Sequence, residues 1–180
     1  MINDAIQYTL DHIGKALGEI EESQVEPVLN AFFDVNKVFV YGVGRSGLAA
    51  RAFAMRLTHL GFRCYVIGET ITPPVEATDL VLLVSGSGAT TSVVRTAQIA
   101  RSIGSKVVCI TSNPESELAR LATAFVVIET YDNDQKSTLA PLGTLFEDGV
   151  QLFLDGVIVE LMTRMGETEA RMSSRHATLE

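Results

Sequence analysis

The sequence predicts an α/β fold: a doubly wound, five-stranded parallel sheet of flavodoxin-like order 2-1-3-4-5, covered by helices on both faces, in a single domain of residues 1–180. Three observations carry this. Five short runs, 38–43, 64–67, 80–84, 106–110 and 125–128, are β-branched and continuously apolar, as strands buried on both faces must be. Segments with apolar residues at three-to-four spacing alternate with them. The first and third runs both end in glycines and hydroxyls and pass straight into a helix pattern, and the expected order sets them side by side at the switch point, where ligands bind at strand carboxyl ends.

Taken in order, Ile6, Leu10, Ile13, Leu17 and Ile20 mark an amphipathic helix over 3–20, with His12 on its polar side as a solvated histidine. A second helix follows Ser23 as its cap and carries Val28, Leu29, Phe32 and Phe33. The strand at 38–43 runs into Gly42-Val43-Gly44-Arg45-Ser46-Gly47 and a helix over 48–60, where His59 complements the carboxyl end and Gly61 is the left-handed cap. After the strand at 64–67, the segment 68–74 ends in Pro73-Pro74 and reads as a rigid turn or lid. The strand at 80–84 enters Ser85-Gly86-Ser87-Gly88-Ala89-Thr90-Thr91, and Val93, Val94, Ala97, Ala100 and Ile103 begin the next helix. Beyond 106–110, Thr111-Ser112-Asn113-Pro114 reads as a helix start, with Asn113 as cap, Pro114 first in the helix and no chemistry assigned. A polar loop over 130–141 leads to a long helix carrying Leu145, Phe146, Val150, Phe153, Leu154, Val157, Ile158, Leu161 and Met162. The tail, 166–180, is too poor in apolar residues to fold on itself and reads as a frayed terminus.

Composition narrows the partners. The chain is 47% hydrophobic and 20% charged, with 22 acidic against 14 basic residues and a formal net charge of −8, which disfavours a nucleic-acid binder. Cys64 and Cys109 each sit in an expected strand, away from any second cysteine or metal-spaced histidine, so neither a disulfide framework nor a zinc site is indicated and a reduced cytoplasm is expected. No stretch approaches a membrane span, and the first residues lack the pattern of a secretory signal.

The loop at 85–91 is built for an anion. Glycines let amides converge, hydroxyls add donors, and a helix start adds partial positive charge. No lysine follows the glycines as a triphosphate loop requires, and no G-x-G-x-x-G opens the helix, so one phosphate on a small molecule fits better than a nucleotide. Serines and threonines acting only as helix caps are the competing reading.

The pair of loops, Gly44-Arg45-Ser46 and Ser85-Gly86-Ser87-Gly88-Ala89-Thr90, resembles the sugar isomerase (SIS) domain family. The resemblance implies a sugar-phosphate site formed by Gly44, Arg45, Ser46, Ser85, Gly86, Ser87 and Thr90. Gly143-Thr144-Leu145-Phe146-Glu147, together with the closing Arg175-His176-Ala177-Thr178-Leu179-Glu180, is similar to the 6-phospho-3-hexuloisomerase branch of that family across essentially the whole chain. That branch implies conversion of D-arabino-3-hexulose 6-phosphate to fructose 6-phosphate in the ribulose monophosphate pathway. It also implies a cis-enediol(ate) intermediate, no cofactor, and a homotetramer whose active sites are shared, with the tail entering a neighbour. Glu147 is then the base, desolvated by apolar neighbours, although a first-turn acid also complements a helix dipole; Asp148 is read as structural or as a helix-end charge. His176 or His59 is expected to shuttle protons. A non-catalytic phosphosugar-binding module and an isomerase of another phosphosugar are the alternatives.

Overall fold

The computed structural model describes residues 1–130 and 133–179. Strands β1 (Val38–Gly42), β2 (Cys64–Val66), β3 (Leu80–Val84), β4 (Lys106–Thr111) and β5 (Ala124–Val127) form one parallel sheet in the order β2-β1-β3-β4-β5, as expected. Alternation explains the continuous hydrophobicity of the runs. Val38, Val40, Leu80, Leu82, Val108 and Ile110 face one layer, while Phe39, Val81, Leu83, Val107 and Cys109 face the other.

The first layer holds α1 (Ile2–Gly18), α2 (Glu22–Asn30), α3 (Arg45–Leu60) and α7 (Thr144–Arg164). The second holds α4 (Thr91–Ile103) and α5 (Glu117–Leu121). Two short helices, α6 (Lys136–Leu139) and α8 (Glu169–Ser174), complete the chain, and α3 packs along α7. Among the described residues no helix is long and apolar enough to cross a membrane.

At the amino-terminal edge of the sheet, buried Lys37 joins the starts of β1 and β3. Its ammonium lies 3.0 Å from Glu76 Oε2 and 3.3 Å from Asp79 Oδ2, and it donates to the Pro74 carbonyl at 3.2 Å.

Several local expectations are corrected. Helix α2 starts one residue before Ser23, whose hydroxyl bonds to Glu21 instead of capping, and Phe32 and Phe33 lie in the turn after the helix. His12 is half-buried: its ring stacks on Tyr8 at 3.8 Å, Nδ1 lies 2.7 Å from the Tyr8 carbonyl, and Nε2 lies 3.3 Å from Asn133 Nδ2. Asn113 does not begin a helix. Its side chain accepts from the Glu115 amide to make a turn, and α5 starts three residues later on Ser116, which accepts from the Ala119 amide. The expected polar loop contains α6; Tyr131 and Asp132 of that loop, and Glu180 of the tail, lie outside the described residues. The tail itself folds, as α8, capped by Thr168 and held by Met172 against the core.

Candidate active site

Parallel pairing brings the end of β1 level with the end of β3, Gly42 opposite Val84, so the turns that follow them lie together at the carboxyl edge of the sheet. Between them is a cavity of about 310 Å³. Six hydroxyl side chains line it: Ser46, Ser85, Ser87 and Thr90 from the two expected loops, and Ser112 and Thr130 from beyond β4 and β5. Glu147 is the one charged lining group among the described residues.

Two glycines shape the first turn. Gly44 adopts φ +62°, and a Cβ on Gly47 would stand 2.5 Å from the Gly42 carbonyl oxygen, so the start of α3 rests directly on the end of β1. In the second turn the Gly86 carbonyl accepts from Thr111 Oγ1 (3.0 Å), Ser112 Oγ (2.8 Å) and the Ser112 amide (2.9 Å), which fastens the loop to β4.

The capping reading of this loop fails on geometry. Thr90 occupies the cap position of α4 but makes no side-chain bond to its own helix; its Oγ1 lies 3.1 Å from Ser85 Oγ instead. Ser87 Oγ accepts from the Ala89 amide at 3.2 Å, which orders the turn. Helices α3 and α7 also begin beside the cavity, at Gly44 and Gly143, without a side-chain cap. Three helix amino termini and six hydroxyls thus converge on one small volume, an arrangement complementary to a phosphate and indifferent to what the phosphate is attached to.

Glu147 stands in the first turn of α7, with its side chain 18% exposed. Its expected neighbours were apolar; Phe146 does line the cavity, but a guanidinium also faces the carboxylate, with Arg45 Nε 3.2 Å from Glu147 Oε2. Arg45 reaches further along α7, to Asp148 Oδ1 (2.9 Å) and Thr144 Oγ1 (3.2 Å). Its side chain is therefore directed to α7, and neither it nor Gly44 lines the cavity.

The two histidines meet each other elsewhere. His59 is buried, and its ring centroid lies 5.0 Å from that of His176, beside a separate cavity of about 500 Å³ that Arg56, Asp155, Met162 and Met172 also line. Burial, and then the neighbouring His176 and Arg56, hold His59 below the ordinary imidazole range. Gly61 closes α3 at φ +99°, as expected, and Arg175 adds a second closure: its Nη1 donates to the His59 carbonyl at 2.9 Å while Nη2 pairs with Glu167 Oε1 at 3.0 Å. His59 lies thirteen residues after Ser46 on one helix, about 20 Å at 1.5 Å per residue. Within one chain, the histidines and Glu147 do not share a site.

Ser112 and Thr130 escaped the sequence reading because neither belongs to a glycine-rich turn; only the order of strand ends brings them in. The cysteines offer no nucleophile, since burial pushes both thiols up to about 12. Among the described residues no three metal-binding side chains cluster.

The chain is 36% identical to the 3-hexulose-6-phosphate isomerase of Bacillus subtilis, over 96% of this chain and 99% of the relative. It is 38% identical to the enzyme of the same name from Methanocaldococcus jannaschii, over 88% of this chain and 85% of the relative. A crystal structure of a Methanococcus jannaschii protein, for which a 3-hexulose-6-phosphate isomerase function was inferred, superposes with a TM-score of 0.85 at 34% identity, covering 98% of each chain. The family model described as "SIS domain" matches residues 31–145, and that span contains both hydroxyl turns and all five strands: the chain belongs to the SIS domain family.

Proposed function

We propose that this protein is a ketose-phosphate isomerase, one SIS domain over 1–180, that converts D-arabino-3-hexulose 6-phosphate to fructose 6-phosphate. The observation that carries the reading is a single carboxylate, Glu147, facing a hydroxyl-lined phosphate cradle in a chain related along its length to isomerases of that name. The cradle formed by Ser46, Ser85, Ser87 and Thr90 holds the 6-phosphate and so fixes where C2 lies. Glu147 lifts the C2 proton, the electron pair moves into the C2–C3 bond, and the C3 carbonyl oxygen takes the negative charge of a cis-enediolate. The carboxyl group, its proton exchanged with solvent, protonates C3, and transfer between the two oxygens leaves the carbonyl at C2. Nothing is oxidised overall, and no cofactor enters the balance. The 3-ketose has its C6 oxygen phosphorylated and cannot close a five- or six-membered ring, so it arrives open.

Proton transfer between the oxygens falls to His176 or His59, supplied by a neighbouring subunit of a homotetramer. Four apolar side chains support an assembly: Leu48 and Met55 on α3, and Leu152 and Val159 on α7, each at seven-residue spacing and half or more exposed. The free cysteines and the acidic surface fit a reduced, cytoplasmic setting without nucleic acid. The deciding experiment offers 3-hexulose 6-phosphate and a panel of other phosphosugars in deuterated water and follows products by NMR. Deuterium at the migrating carbon of the hexulose is expected; tight phosphosugar binding without isomerisation or exchange would mean a non-catalytic module.

A further inference from the structure

Asp148 shares Arg45 with Glu147. Thr144, Glu147 and Asp148 stand at i, i+3 and i+4 of α7, one contiguous face, and the guanidinium spans it. Nη1 donates to Thr144 Oγ1 at 3.2 Å, Nη2 to Asp148 Oδ1 at 2.9 Å, and Nε faces Glu147 Oε2 at 3.2 Å. All three nitrogens of a rigid planar fork are committed to α7. Yet Arg45 is half exposed and adjoins Ser46, so a phosphate in the cradle competes for it, and a dianion is a partner that guanidinium groups take bidentately. The cavity lining has no cation among the described residues and one anion, Glu147. Base and phosphate therefore repel each other within about 310 Å³, and the place of Arg45 decides which of the two it neutralises.

We propose that Asp148 is a positioning residue: with Thr144 it brackets Arg45 on Glu147 and keeps the guanidinium off the phosphate cradle. The inference rests on Glu147 being the base. Its logic is differential binding. A guanidinium on the phosphate tightens substrate and product alike, whereas on Glu147 it offsets the repulsion between base and phosphate and leaves the carboxylate fixed for its proton.

The test is a pair of substitutions and their combination, read by kinetics and by calorimetry with inorganic phosphate. Asp148→Asn keeps the shape and releases Arg45: kcat falls about tenfold with KM unchanged or lower, and inorganic phosphate binds about threefold more tightly or better. In an Arg45→Gln background, Asp148→Asn then changes neither kcat nor phosphate affinity by more than about twofold, because residues acting through one partner are not additive. Losses in kcat that multiply, or equal phosphate affinity in the parent and Asp148→Asn, overturn the bracket. Thr144→Val frees a single nitrogen and gives the same signs at smaller amplitude; it decides the matter if Asp148→Asn does not melt like the parent. Phosphate calorimetry needs no turnover, so a chain without isomerase activity that still shows this phosphate pattern overturns the functional reading and leaves the bracket standing.

Discussion

Helix α3 carries a different chemistry at each end. At its amino end the amides are uncapped, two hydroxyl turns face a cavity, and Arg45 crosses to the carboxylates of α7. At its carboxyl end the left-handed Gly61 and the Arg175 guanidinium close the backbone, and His59 is buried against His176. One end asks for an anion and the other has already been given its cation. The difference teaches that His59 lies about 20 Å along one rigid rod from the Ser46 turn, so the proposed base beside that turn and a histidine would serve one substrate only if two chains contributed to the site.

The largest test of that contrast is Glu147→Gln, which keeps the shape and removes the proposed base. Turnover should fall by about 10² or more, with fructose 6-phosphate affinity unchanged or improved and solvent exchange at the substrate carbon lost in parallel. Exchange that persists at the parental rate would move the base to a histidine. Sharing between chains is tested next, by co-refolding Glu147→Gln with His176→Asn. Random assembly of two inactive chains should restore about a quarter of parental activity if each site takes Glu147 from one subunit and His176 from another; a mixture as inactive as its components places both groups in one chain. At the amino end alone, Ser87→Ala or Thr90→Val should raise KM about tenfold at little cost in kcat, since charge-assisted hydrogen bonds to a phosphate are worth ~1.5–3 kcal/mol each. Unchanged KM in both variants would put the phosphate elsewhere.

The smallest effect belongs to the carboxyl end. With His59 held below the ordinary imidazole range, the unfolded chain takes up more protons than the folded one as pH falls through about 6.5. Stability contributed there is present above that pH and lost on acidification. The melting temperature should drop by a few degrees between about pH 7.5 and 5.5, and His59→Gln should flatten the drop. An equal slope in the variant would assign the acid sensitivity to other groups.

The sheet was legible because both its faces are buried, so each strand shows as an unbroken apolar run, and the long connections make the strands parallel; the order itself came from the flavodoxin-like pattern. The hydroxyl turns were legible for a different reason: each is local, one short stretch of glycine and serine. What failed were features settled by distance in space. Nothing in the sequence near Arg45 says that its side chain turns to α7, and Ser112 and Thr130 enter the cavity only through the pairing of β3 with β4 and β4 with β5. The tail misled because a six-residue helix held by Met172, the Thr168 cap and Arg175 needs no apolar stripe. At Asn113-Pro114 the sequence offered a good cap, and the backbone used it for a turn and took Ser116 instead.

The buried Lys37 cluster acts at the far end of the same two strands and works as a gauge for the phosphate site. By joining the approach to β1 with the approach to β3 through Glu76 and Asp79, it fixes how far each strand has advanced when it reaches the opposite edge. A slip of one residue between them would displace Ser46 from Ser85 by about 3.3 Å and turn every side chain to the wrong layer. The spacing of the two turns proposed to grip one phosphate is thus set at the opposite edge of the sheet.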